Sequence, residues 1–146
     1  MAFSLSNTVL RAVPGAFILN SGLGKLGLPE EAAAGLQQMA AQGVPALGKL
    51  SPKQFGWFLS LGEIAVGSSL LLPIVPTRVA GMALATFSGS MLSMYLRTPE
   101  MTEEDGVRPS ESGTPVAKDS WLAAIALALL IRGSGSKKVK KVVAED

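Results

Sequence analysis

The sequence predicts an all-α fold: an integral membrane four-helix bundle with a short amphipathic helix between the first and second spans. Three observations predict it. Of 146 residues, 48% are hydrophobic and only 16% charged, against roughly 25% in ordinary soluble chains, and the mean hydropathy is +0.38. Four apolar runs approach the ~20 residues that a bilayer-crossing helix needs. Most charges fall at the ends of those runs, and the few inside them share faces with small residues.

The first span is predicted at about 8–28, TVLRAVPGAFILNSGLGKLGL. It does not read as a cleaved signal peptide. Asn20 interrupts its apolar core, the run continues through Gly22 to Lys25, and no A-x-A site follows. Residues 30–43, EEAAAGLQQMAAQG, repeat Ala33, Leu36, Met39 and Ala40 at helical spacing, with Glu and Gln elsewhere. They predict an amphipathic helix lying on the bundle or at the interface, its start marked by Pro29 and two acids.

The second span is predicted at about 55–75, FGWFLSLGEIAVGSSLLLPIV, and the third at about 77–96. A polar, acidic connection rich in Pro, Gly and Ser follows, with the composition of a solvent loop that is partly disordered. The fourth span is predicted at about 117–132. Residues 1–132 thus form one domain, and 133–146, GSGSKKVKKVVAED, a flexible basic tail.

With four spans, the N-terminus, the second connection and the C-terminal tail share one side. That side holds Arg11, Arg78, Arg132 and the lysines at 137, 138, 140 and 141, seven basic residues against six opposite. The tail cluster follows the last span directly, while acidic loops offset the basic residues on the other side. The expected localisation is therefore the plasma membrane, multi-pass, with both termini cytoplasmic. Trp57, Tyr95 and Trp121 fall together at the opposite face, where amphipathic rings favour the headgroup level.

The chain has no cysteine and no histidine. That excludes a disulfide framework, a CxxC redox pair, a thiolate nucleophile, haem on His or Cys, and zinc on its usual ligands. No intrinsic cofactor is expected, and redox work would need an organic cofactor, a quinone or a partner subunit. A net charge of +2 gives no case for nucleic acid.

Glu63 stands inside the second run. Gly56, Ser60, Glu63 and Gly67 follow steps of 4, 3 and 4 and so share one face. Small residues let helix backbones approach in lipid, so this face is expected to point at a neighbouring helix. Arg11, Gly15, Ile18, Gly22 and Lys25 form a similar stripe on the first run, and Gly81, Ala85 and Gly89 on the third.

At ~1.5 Å per residue, Glu63 and Asn20 stand at about the same height, near mid-membrane, with Lys25 a turn further out. The expected polar cluster is Glu63 with Asn20, Ser21 and Lys25, and Arg11 lies nearer the cytoplasmic boundary. A charge near the bilayer centre costs about 2.5–3.5 kcal/mol on insertion scales. Two readings stay open: an interhelical lock, or a polar site for a substrate head group or a quinone.

In order and spacing these features resemble the DoxX-like membrane proteins. LRAVPGAFILNSGLGKLG is similar to that family's first helix, AAAGLQQMAAQGVPAL to its short helix and GVP-type turn, and LGEIAVGSSLLLPIVPTRVAG to its second helix and the start of its third. The resemblance covers about residues 8–132. The chain departs from it at Asn20, at the two prolines of PIVPTR and in its long acidic third connection.

The resemblance implies a bacterial four-helix protein of the plasma membrane, tied to thiosulfate:quinone oxidoreductase subunits and complexes linked to superoxide and sulfur detoxification. Related four-helix proteins act as chaperones or cargo receptors. By family position Arg11, Lys25, Glu63 and Arg78 are the retained polar residues. The leading expectation is a non-catalytic subunit or assembly factor of a membrane redox complex. Quinone-reactive and small-molecule transport roles are the alternatives. Expected partners are the lipid bilayer, soluble redox proteins and a second copy of the chain in a homo-oligomer.

Overall fold

A computed structural model describes the backbone of residues 4–143 and the side chains of residues 4–133. Helix α1 spans Leu5–Gly24, α2 Glu30–Gly43, α3 Pro52–Leu71, α4 Thr77–Arg97, α5 Thr114–Ala117 and α6 Asp119–Val143, with short 3-10 turns at Pro45–Lys49 and Pro99–Met101. Among the described residues there is no strand, only an isolated bridge between Thr102 and Pro109. The all-α expectation holds.

Local chemistry explains the helix ends. Ser51 accepts from the Gln54 N–H and the Gln54 side chain accepts from the Ser51 N–H, so a capping box starts α3 with Pro52 at N1. This start falls three residues before the expected span. Pro73 disfavours helical backbone at the residue before it, and α3 stops at Leu71. Helix α1 closes where Gly27 takes φ +72°, a left-handed turn that favours glycine. Helix α6 runs to Val143, past the point where the flexible tail was expected to begin. No proline interrupts 133–143, and its lysines are good helix formers. Residues 144–146 lie outside the described residues.

The long helices pack antiparallel in chain order. Gly22 of α1 meets Ser60, Glu63 and Ile64 of α3, and Gly67 of α3 meets Leu19 of α1. A Cβ on Gly67 would stand 2.5 Å from the Leu19 nitrogen, so only glycine permits that approach. Helices α4 and α6 are likewise antiparallel, with Gly81 against Leu129 and Leu130, and Gly133 against Arg78. All four contribute to one core: Ile18, Leu70, Ala80, Leu84, Ala126 and Leu129.

Because Gly22 lies opposite Ser60–Ile64, the first two turns of α3 run past the end of α1. Helix α2 occupies the space left there, with Ala33 against Gly56 and Gly43 against Met94 of α4. Its bounds match the expected 30–43, but its inward face centres on Ala33 and Gln37, while Met39 is exposed. Gln37 points inward because its amide donates to the Leu47 and Leu50 carbonyls of the following turn.

The long acidic connection is folded. Met101 packs with Met94 and Tyr95, and the Tyr95 hydroxyl donates to the Val107 carbonyl at 2.6 Å. Tyr95 is thus a buried anchor and not the interfacial ring expected from its place at a span end. Trp57 and Trp121 sit at the same end of the bundle and are exposed.

The surface is apolar along the helices. Leu5, Val9, Val13 and Phe17 make an exposed stripe on α1, and Phe58 and Leu61 on α3, Val79 and Met82 on α4, and Leu127 and Ile131 on α6 are exposed as well. The interior holds Arg11, Ser60, Glu63 and Ser88. Two helical segments, Thr77–Arg97 and Thr114–Gly133, are long and apolar enough to cross a membrane.

Candidate functional site

The face Gly56–Ser60–Glu63–Gly67 is buried throughout, as the spacing predicts. It brings Glu63 against the last turn of α1. There Lys25, the first residue beyond the helix, turns back and donates to both carboxylate oxygens, at 2.9 and 3.2 Å. The same ammonium donates to the Ser21 hydroxyl at 2.6 Å. Glu63 is 6% exposed, and Lys25 is half-buried. The carboxylate therefore has a charged, hydrogen-bonded partner, the condition for burying it.

Ser60 joins this centre by donating to the Gly22 carbonyl at 2.9 Å. The last carbonyls of a helix have no partner within it and carry its negative dipole end. At α1 this end is closed by the Ser60 hydroxyl and flanked by the Lys25 ammonium, so the Lys25–Ser21–Glu63 group doubles as a helix cap.

Three of the candidate site residues, Asn20, Arg78 and Arg11, lie outside this centre. Asn20 is exposed and makes no hydrogen bond to Glu63. At 100° per residue it stands about 200° round the helix from Gly22, so it shares the carboxylate's height but faces away. Arg78 is also exposed, at the start of α4 and the opposite end of the bundle.

Arg11 forms a separate centre. Its guanidinium donates to four carbonyls: Leu70 at 2.8 Å, Ser69 at 2.9 Å, Leu72 at 2.8 Å and Val75 at 3.0 Å. It is buried and closes the C-terminus of α3 and the turn after it. Its side chain is fully engaged by protein carbonyls.

A third closure was missed in the sequence. Arg97 and Ser93 of α4 each donate to the Gly43 carbonyl, the last of α2, at 3.1 Å. The only signal was a basic residue in the last turn of a span, which reads equally well as a solvent-facing end. The C-termini of α1, α2 and α3 thus each meet a basic side chain, and two of these come from another helix.

Beside Lys25 opens a cleft of about 350 Å³, lined by the turn Gly27–Glu30 and by Lys53, Gly56 and Trp57 of α3. Glu63 is not part of its wall. In the acidic connection, Arg108 donates to Asp105, and the Val107 and Arg108 N–H groups bond the same carboxylate. The Arg108 hydrogen bond, helped by the two backbone donors, holds Asp105 at about 2. Among the described residues no group of three or more carboxylates is placed to hold a metal ion.

The centre is ionic: one carboxylate, one ammonium and two hydroxyls, each bonded to protein. Neither family models, curated proteins nor solved structures give a match to the chain.

Proposed function

We propose that the chain is an integral protein of the plasma membrane whose helices α1, α3, α4 and α6 cross the bilayer, with both termini cytoplasmic. The exposed apolar side chains on all four long helices, with Arg11, Ser60, Glu63 and Ser88 turned inward, support this reading. Contact with lipid asks for apolar side chains outward and charged ones inward between helices. Buried helix ends closed by side chains suit an environment without water to satisfy carbonyls.

Within the membrane its role is that of a non-catalytic subunit or assembly factor of a redox complex, as the resemblance to DoxX-like proteins implies. The observation that carries the non-catalytic part is the closed Lys25–Glu63 contact. A carboxylate engaged through both oxygens by an ammonium is a lock between α1 and α3. An open apolar cavity at Glu63 would have supported the quinone-reactive alternative, but the nearby cleft is walled by Lys25 and not by the carboxylate.

Cross-linking in native membranes followed by capture in mild detergent tests the role. The expected result is co-capture of redox subunits, with Glu63→Gln lowering the yield of folded protein. A chain that purifies alone under varied extraction, or quinone-linked turnover abolished by Glu63→Gln in a fully folded protein, would overturn it.

A further inference from the structure

The cleft beside Lys25 has two ionic side chains without an ion-pair partner among the described residues. They are Lys53, at the start of α3, and Glu30, at the start of α2, and both line it. Lys25, on the same wall, is neutralised by Glu63. The free charges of the cleft are therefore one cation and one anion, held apart on separate helices.

Trp57 forms another part of the wall and is half exposed, and Phe58 and Leu61 continue the exposed apolar surface down α3. A mainly apolar cleft with one free charge of each sign at its rim, beside an apolar flank, complements an amphiphile with a zwitterionic head. A volume of about 350 Å³ lies at the lower end of the small-molecule range and suits a head group, with the tails left outside.

We infer that this cleft holds a phospholipid head group carrying a phosphate and a primary ammonium, the phosphoethanolamine type. The phosphate faces Lys53, and the ammonium donates to Glu30. Trp57 packs on the glycerol region, and the acyl chains follow Phe58 and Leu61 along α3. A phosphocholine head meets the same charges but cannot donate hydrogen bonds to Glu30, because its nitrogen has no proton. A phosphoglycerol head brings no cation and leaves Glu30 against an anion.

The inference rests on the membrane reading, so the test separates the two. Carbonate extraction of membranes first reads insertion. The purified full-length chain is then exchanged into equimolar dioleoyl phosphatidylethanolamine, phosphatidylcholine and phosphatidylglycerol, and retained lipid is read by native mass spectrometry.

The expected result is one retained phosphatidylethanolamine, enriched about fivefold over each competitor. Lys53→Glu and Glu30→Lys should each abolish the preference, the paired exchange should recover part of it, and Lys49→Glu, outside the cleft, should leave it unchanged. Free phosphoethanolamine at millimolar concentration should not displace the lipid, since the apolar flank contributes to binding.

An inserted chain with no head-group preference overturns the inference and leaves the membrane reading standing. Preference for phosphatidylglycerol, or equal response to Lys49→Glu, also overturns it by showing general electrostatic attraction. A chain released by carbonate removes both.

Discussion

The Nε of Arg11 in α1 donates to the carbonyl of Leu70 in α3 at 2.8 Å. One guanidinium thereby joins the start of the first helix to the end of the third. Three further carbonyls share it, and the planar fork of donors makes the arrangement specific to arginine.

Arg11→Ala leaves these buried and part-buried carbonyls without their donor, and each buried unsatisfied group costs about 1–3 kcal/mol. The expected loss is about 3 kcal/mol or more, and Arg11→Lys should fall between the two because an ammonium reaches fewer of the four. Unfolding of the detergent-solubilised protein, followed by circular dichroism, measures both. A loss below about 0.5 kcal/mol for Arg11→Ala would show that water or lipid closes this end.

For Lys25 and Glu63 the informative experiment is a double-mutant cycle. Removing one partner leaves the other charge largely buried, so Lys25→Met and Glu63→Gln should each cost about 1–3 kcal/mol, less than a wholly buried pair because the Lys25 side chain keeps 24% of its exposure. The double variant should cost less than the sum of the singles, with a coupling of about 1 kcal/mol or more. Additive losses would mean that the two side chains do not work as a pair.

Two glycines of α3 should respond in opposite directions. Gly67→Ala drives a Cβ into the Leu19 backbone and is expected to cost about 1–3 kcal/mol through forced separation of α1 and α3. Gly62 has open space on its side, so Gly62→Ala should stabilise α3 by about 0.5–1 kcal/mol. Midpoint shifts of the same sign for both would contradict the packing.

The Asp105 turn should be acid-sensitive. Its carboxyl is held at about 2, below the usual 3.8, by Arg108 and two backbone donors. Its contribution is complete above about pH 4 and is lost as pH falls through about 2. Carboxyl and amide NMR shifts at Asp105, Val107 and Arg108 should titrate together with that midpoint, and Asp105→Asn should remove the titration. A midpoint near 4 would mean that the turn does not hold its acceptor.

Tyr95→Phe deletes the 2.6 Å bond to the Val107 carbonyl while keeping the ring among Met94 and Met101. Amide exchange is expected to accelerate across 99–113 and to stay unchanged in α1 and α3. Unchanged exchange in the connection would leave its order to the methionine packing alone.

Much of the bundle could be read from spacing. The small face Gly56–Ser60–Glu63–Gly67 and the stripe from Arg11 to Lys25 follow from the helical repeat, because a buried face in this chain is a run of small residues at steps of three and four. Pairing those faces then points from Glu63 to Lys25.

What spacing could not supply was rotation at a shared height, which sends Asn20 outward. Nor could it supply contacts far apart in sequence, such as Arg97 to the Gly43 carbonyl. The buried ring of Tyr95 was hidden for a related reason: its partner is a backbone carbonyl in a loop whose composition resembles disorder. Gly89 shares a small-residue spacing with Gly81 but lies exposed, since nothing in such a repeat says which way a helix is turned.

Arg11 also sets a timetable for biogenesis. Its nearest acceptor carbonyl lies 58 residues later, a separation that takes about 3–12 s to synthesise at ~5–20 residues per second. Until α3 leaves the ribosome, the first helix carries an arginine with none of its final acceptors. The α1–α3 contact therefore cannot close until the third helix has been made, and the two lock as one unit, hairpin-wise, with α2 carried between them.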